Sequence, residues 1–431
     1  MRMRRLSCPQ LVALLLMGCD ATSPGALRPV TLRFCGEGPN WLAYHNVSDG
    51  WVSVPIANIP GVPDRTIMAG DRTILAYGAS VLFADGSKRN ESRIYVLFAS
   101  ADDIQSIQCA NEYSGPRLVE GNATNVRAAP VNVSVSSPAT QTAGSEHYFY
   151  WNGTRDSVDL LARDSGNWVF LQHNVDLTGA SRPSYTNVVV DFNSTKAAAL
   201  DSASLAFSGE PSFEAVVDYF TELGSQLSVI KASGTGTTTR VGLIPPALRG
   251  ARDVHRALVW APGKAVVHFF QGASDLTLAP GPAIAAHTVS VASADPFLLD
   301  ASLPVQAEYP DFARAYFVQD TLYARPGCER SSCFDRDRRQ IVVAMTASYR
   351  GSAGEWSLSI PDLTQAPGFN SSFWGFVSGR ATSVCAEAWS MDRRYFFSTR
   401  AAPQQGGLTM RGAAGTLDGA SCLAFGLGVK G

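Results

Sequence analysis

The sequence predicts an all-β chain of three or four antiparallel β-sandwich modules in tandem. Two observations carry the class. Short segments rich in Val, Ile, Tyr, Phe and Thr recur along the chain, many alternating apolar with polar, such as "VNVSVSS", "HYFYW", "HTVSVAS" and "EWSLSI". Turn formers such as "NVSDG", "ADGS", "DSGN", "APG" and "GSAG" separate them at short intervals. A third observation sets the number of modules: this punctuation cuts the chain into segments of roughly 100 residues, the size of one sandwich.

The first element is not part of a module. Arg2, Arg4 and Arg5 form a positive start, and Leu11 to Met17 is an apolar run of seven residues. A membrane span needs about 20, so residues 1–18 read as a secretory signal and not as a membrane helix. The run ends in Leu16-Met17-Gly18-Cys19, followed by the small, polar "DATSPGALRP". This end resembles the lipobox of bacterial lipoproteins. The resemblance implies cleavage before Cys19, palmitate-type acylation of its thiol, and residues 19–27 as a tether. Stable anchoring takes more than one acyl chain, each buried methylene contributing about 0.8 kcal/mol.

Module 1 is expected over residues 28–115, ending at "NEYSGP", and module 2 over 116–193, opening with "VNVSVSS" and closing with "VVVDFNS". Module 3 covers 194–294. Within it, "SFEAVVDYFTELGSQLSVI" has helix-forming residues, but Phe213, Ala215, Val217, Tyr219 and Leu223 alternate and "ELGSQ" suits a turn, so a strand pair is expected. Module 4 covers 295–431. Modules 2 and 3 resemble immunoglobulin- or fibronectin-III-like domains in strand pattern, which implies architecture and no activity. The alternative is a β-propeller, suggested by the echo between "WLAYHNVSDGWVSV" and "LLARDSGNWVFL". A propeller needs such a unit every 40–50 residues or so around the chain.

Of eight cysteines, Cys8 falls in the signal and Cys19 is the expected anchor. The even remainder in an exported chain favours disulfides, and locality pairs Cys35 with Cys109, Cys328 with Cys333, and Cys385 with Cys422. A four-cysteine zinc site would want two close pairs, and the chain has one.

Signals for chemistry are few. The six histidines form no zinc-protease motif, and no nucleophile elbow or phosphate-binding glycine loop occurs. Asp253 and His255 share a strand face in "DVHRALVW", where a turn residue and a surface histidine are the expectation. Asp335 and Asp337 in "CFDRDRRQ" have calcium-like spacing but sit among arginines, which favours a solvated, self-paired charge cluster. Seven Asn-x-Ser/Thr sequons, among them Asn46 and Asn152, reflect turn composition. Most of the eight tryptophans are expected in cores, whereas Trp374 in "PGFNSSFWGF" is the candidate ligand-binding residue, an aromatic platform on a loop.

Net charge is −2 with no basic stripe, which argues against a nucleic-acid partner. The expectation is a non-catalytic extracytoplasmic protein, joined to a membrane by its lipid anchor on the periplasmic face or cell surface. Its role would be structural, adhesive or ligand-binding, toward a glycan, a cell-wall component or a protein, with no cofactor and no metal. The alternative is an extracytoplasmic hydrolase of glycans or peptides, which would require paired carboxylates in a cleft.

Overall fold

The computed structural model describes residues 26–32, 39–46, 49–56, 65–82, 89–105, 117–135, 141–142, 148–153, 157–177, 186–222, 226–235, 238–272, 275–324, 334–391 and 408–416. Cys19, Cys35, Cys109, Cys328, Cys333 and Cys422 lie outside these residues, as does the signal. The described chain is all-β, with stacked sheets and only short helical turns.

The largest sheet has twelve strands. From one edge to the other they are Gln226–Thr235, Ser212–Phe220, Val254–Ala261, Lys264–Phe270, Thr409–Thr416, Ser383–Ser390, Phe312–Ala324, Phe334–Thr346, Arg89–Ala99, Thr73–Leu82, Trp41–Asn46 and Gly50–Ser53. Strands from segments 28–115, 194–294 and 295–431 are therefore hydrogen-bonded side by side. A twelve-stranded sheet is not a ring of blades, and this excludes the propeller. The expected strand pair is present: Ser212–Phe220 pairs antiparallel with Gln226–Thr235.

Why the central strands read as unbroken apolar runs follows from their two buried faces. In "RIYVLFA", Ile94 and Val96 join one core while Leu97 joins the opposite one. Peripheral strands bury one face and alternate instead, as Glu355–Ser359 does with Trp356 and Leu358 turned inward.

Smaller sheets complete the layers. A three-stranded sheet of Thr288–Ala294, Phe297–Pro304 and Glu355–Ser359 lays Leu299, Ala301, Leu303, Trp356 and Leu358 on the large sheet. The hairpin-like pair Arg28–Leu32 and Arg65–Ala69 packs Val30, Leu32 and Ile67 into the core that holds Leu97. Another three-stranded sheet, around Asp201–Phe207, encloses a core with Phe213, Val217 and Val259.

Residues 117–199 make a sandwich of their own. A three-stranded sheet (Tyr148–Gly153, Arg117–Thr124, Thr186–Asp191) faces a five-stranded one (Ala197–Ala199, Trp168–Asp176, Ser157–Asp164, Val131–Val135, Gln141–Thr142). Val133, Leu160, Phe170, Val190 and Phe192 fill the space between. The outer face of the five-stranded sheet brings Leu161, Val169 and Leu171 against Tyr219, Ile244 and Leu248. Not every ladder is antiparallel: Arg89–Ala99 runs parallel to Phe334–Thr346, Thr186–Asp191 to Arg117–Thr124, and Asp201–Phe207 to Asp275–Leu278.

Candidate functional site

Where the three-stranded sheet meets the large one, a cleft of about 530 Å³ opens. Its walls come from three places in the chain. Ala294 to Leu298 is the turn between two strands of the small sheet, Arg339 and Ile341 belong to the large sheet, and the segment from Ile360 to Ser378 closes the remaining side.

That last segment is shaped by side-chain caps. Asp362 accepts from the amide of Thr364 at 3.0 Å and so starts the turn Leu363–Gln365. Asn370 accepts from the amide of Phe373 at 3.3 Å and starts Ser371–Trp374. Gln319, fully buried, clamps the far end by accepting from the Val377 amide at 2.9 Å and donating to its carbonyl at 3.0 Å.

The floor is aromatic. Trp41 donates its indole N–H to the carbonyl of Pro367 at 3.1 Å and meets Phe369 edge-on at 5.3 Å and Trp374 at 5.6 Å. Gly78 permits this packing, since a Cβ there would sit 3.1 Å from the Trp374 ring. The structure therefore corrects the reading of Trp374. It is 7% exposed and supports the cleft from beneath, because Gly78 leaves a hole in the large sheet's surface that the indole fills. Phe297, Phe369 and Phe376 supply the aromatic lining.

Among the described residues the one cation lining the cleft is already committed. Arg339, 8% exposed, donates to the Gly375 carbonyl at 2.5 Å and to Asp337 at 3.3 Å. Arg380 reaches the same Asp337 carboxylate at 2.9 Å. Burial acts to raise the Asp337 carboxyl, but the hydrogen bonds and charges of Arg380 and Arg339 outweigh it and hold the group below its ordinary value. Asp337 is thus paired as the sequence suggested, but half-buried. The exposed polar groups facing the cleft are Ser371 and Ser378, with Asp295 at the rim, while the Ser372 and Thr364 hydroxyls donate to Asn370 and Asp362.

A second polar cluster lies between the 117–199 sandwich and the large sheet. His173 stands between two carboxylates, its Nδ1 at 3.4 Å from Asp159 and its Nε2 at 3.4 Å from Asp253. Asp253 also accepts from the Tyr219 hydroxyl at 2.5 Å and from the amides of Gly250 and Glu222 at 2.8 and 3.0 Å. The bond to Asp159 raises His173 to about 9 against the opposing effect of burial, with the Asp253 charge adding to it. His255 behaves oppositely: burial, aided by the Arg249 charge, lowers it to about 3. Its Nε2 accepts from the Ile244 amide at 2.9 Å while Nδ1 faces the Gln271 carbonyl at 3.1 Å.

This overturns the expectation of a turn residue and a surface histidine at Asp253 and His255. They are 1% and 0% exposed, because His173 of the neighbouring sandwich stands over Asp253, and Tyr219, Ile244 and Phe270 enclose His255. Asp159, His173 and Tyr219 carried no sequence signal as a group, since they converge from separate strands.

Cys385, on a central strand, is disulfide-bonded. The other cysteines lie outside the described residues. Among the described residues no helix is long and apolar enough to cross a membrane.

No family model matches the chain, and no curated protein matches it. Two solved structures are similar to it at low identity. The tetra-tandem repeat in the extending region of a large adhesion protein shares 15% identity over 89% of this chain and 93% of that one, with a TM-score of 0.12. A Salmonella alpha-2-macroglobulin point mutant shares 9% over 91% and 35%, also with a TM-score of 0.12. At such scores neither bears on what this chain does. The class, an all-β protein of several packed sandwiches, rests on its own sheets.

Proposed function

We propose that the chain is a non-catalytic, lipid-anchored extracytoplasmic protein that holds a ligand in the cleft beside Phe369 and Phe376. The observation that carries this reading is the cleft itself. It is a preformed concavity with an aromatic lining, exposed hydroxyls and walls fixed by Gln319, Asp362 and Asn370. The lipobox-like "LMGC" supports the address. Hydrolysis is the weaker reading. Of the two carboxylates lining the cleft, Asp362 is engaged by Thr364 and Gln365, which leaves Asp295 without a free partner.

Two measurements test the proposal. Cys19→Ser should abolish acyl labelling and move the protein from the membrane to the soluble fraction; unchanged partition refutes the anchor. For the cleft, the full chain would be passed over immobilised peptidoglycan, oligosaccharides and reduced, extended polypeptide. The wild type should be retained by one of them, and Ser378→Trp, which fills the cleft from an exposed position, should not. Equal retention of the two proteins on every support refutes the cleft as the binding site.

A further inference from the structure

The strand Thr288–Ala294, "TVSVASA", is among the described residues an edge without the usual protection. Among the described strands it pairs on one side only, with Phe297–Pro304. Five of its seven residues are exposed, and it contains no charge and no proline. Val291 shows what is missing. It lies opposite Leu299 on the face that packs on the large sheet, yet it is 58% exposed while Leu299 is buried. A further strand beside it would cover that side chain.

The edge also leads into the cleft. Its register shifts between Val291 and Ser293, and Ala294 and Asp295 beyond the shift are already cleft wall. Backbone groups unpaired among the described strands and an aromatic pocket are thus continuous.

We infer that this edge and the cleft together bind an extended, uncharged polypeptide segment by strand addition. The inference rests on the cleft reading above and names its ligand class. The bound segment runs antiparallel to Thr288–Ala294, as every ladder of this small sheet does. Its β-branched residues pair along Thr288–Val291, and an aromatic side chain at its N-terminal end enters beside Phe376.

A second copy of this chain is the rival occupant, and the geometry disfavours it. In a two-fold antiparallel pairing of this strand, the partner's residues preceding Thr288 would reach the cleft. Those residues are tied to their own chain: the Ala285 amide donates to Gln306 at 2.7 Å, and the Pro282 carbonyl accepts from Tyr309 at 2.6 Å. Self-pairing would cover the edge and leave the cleft empty.

The test uses the full chain and a fluorescent peptide of Phe followed by alternating Thr and Val, read by anisotropy. Binding should weaken at least about tenfold when alternate peptide nitrogens on the pairing side are methylated, and little when the others are. Moving Phe to the C-terminal end should weaken it similarly, as should Val291→Lys, a change at an exposed position checked by circular dichroism. Binding that ignores methylation and Val291→Lys but is lost in Ser378→Trp overturns strand addition and leaves the cleft reading intact. Retention on peptidoglycan or oligosaccharide without any peptide binding does the same. Failure of every probe overturns both. A wild-type dimer in sedimentation that Val291→Lys converts to monomer overturns the inference in favour of self-pairing.

Discussion

At the junction of the 117–199 sandwich with the large sheet, Asp159 and Asp253 hold His173 between them, and amides and a phenol satisfy the remaining carboxylate oxygens. At the cleft, the charged groups Arg339, Asp337 and Arg380 are as fully engaged. Among the described residues Ser371, Ser378, the aromatic wall and the neighbouring backbone edge are not. The first region has polar chemistry directed at itself, and the second presents some outward. Strongly shifted titrating groups often mark function. Here they mark a seam, and the candidate site is found by unsatisfied edge and concavity.

The largest effect should come from breaking the seam. Asp253→Ala leaves the Tyr219 hydroxyl, two amides and His173 without their shared acceptor. Removing one partner of a buried, hydrogen-bonded ion pair costs about 3–5 kcal/mol. Urea unfolding should show that loss, whereas Val291→Lys should leave the midpoint unchanged. A cost of less than about 1 kcal/mol for Asp253→Ala would place it among ordinary surface changes and dissolve the contrast.

The same seam sets a pH dependence. His255 is held near 3, below its ordinary 6.5, so as pH falls from 6.5 the unfolded chain takes up a proton that the folded one refuses. Stability then drops by up to about 1.4 kcal/mol per pH unit. His173 is raised to about 9, so its contribution is complete below 6.5 and is lost as pH rises through 9. Asp159, whose hydrogen bonds from His173 and the Asn174 amide outweigh burial, adds to the acid loss below its unfolded value. Stability from this seam should peak near pH 6.5. His173→Gln should flatten the alkaline limb in melts across the range, shrink the Asp159 part of the acid limb, and leave the His255 part in place. An alkaline limb that survives this substitution would assign it to other groups.

The fold class was legible because its signal is local. Alternation in Glu355–Ser359 and apolar runs such as "RIYVLFA" declare strands whatever they pair with. What stayed illegible was non-local. That Arg89–Ala99 lies beside Phe334–Thr346 across more than two hundred residues is fixed by shared burial, which no segment encodes alone. Trp374 illustrates the cost. Its loop-like surroundings suggest an aromatic platform for a ligand, but the side chain is buried, and that burial depends on Gly78, far away in sequence. The burial of His255 is illegible for the same reason, since Tyr219, Ile244 and Phe270, which enclose it, come from other segments.

A third variant probes the cleft floor. In Gly78→Val the new side chain meets the Trp374 ring, whose neighbours Trp41, Phe369 and Phe373 leave it little room to retreat. Overpacking of this kind costs about 1–3 kcal/mol. Near-ultraviolet circular dichroism should change and ligand retention should fall, while the His173-dependent alkaline limb stays as in the wild type. A coupled change in that limb would mean that the two regions are not independent.

The smallest effect should be at Asp362, where the cleft wall is shaped by a cap. Its carboxylate accepts from the Thr364 amide at 3.0 Å and from the Thr364 hydroxyl at 2.5 Å, at a half-exposed position. Removing such a cap costs about 1 kcal/mol. Asp362→Ala should therefore barely move the global melt but should speed amide exchange at Thr364 and Ala366, since the loss is confined to one turn. Asp362→Ser keeps an oxygen in capping reach and should restore protection. If retention on the cleft's support falls with Ala and returns with Ser, this carboxylate shapes the wall. If Ser fails while protection is restored, the carboxylate itself contacts the ligand, and Asp362 belongs with Asp295 among the groups that face it.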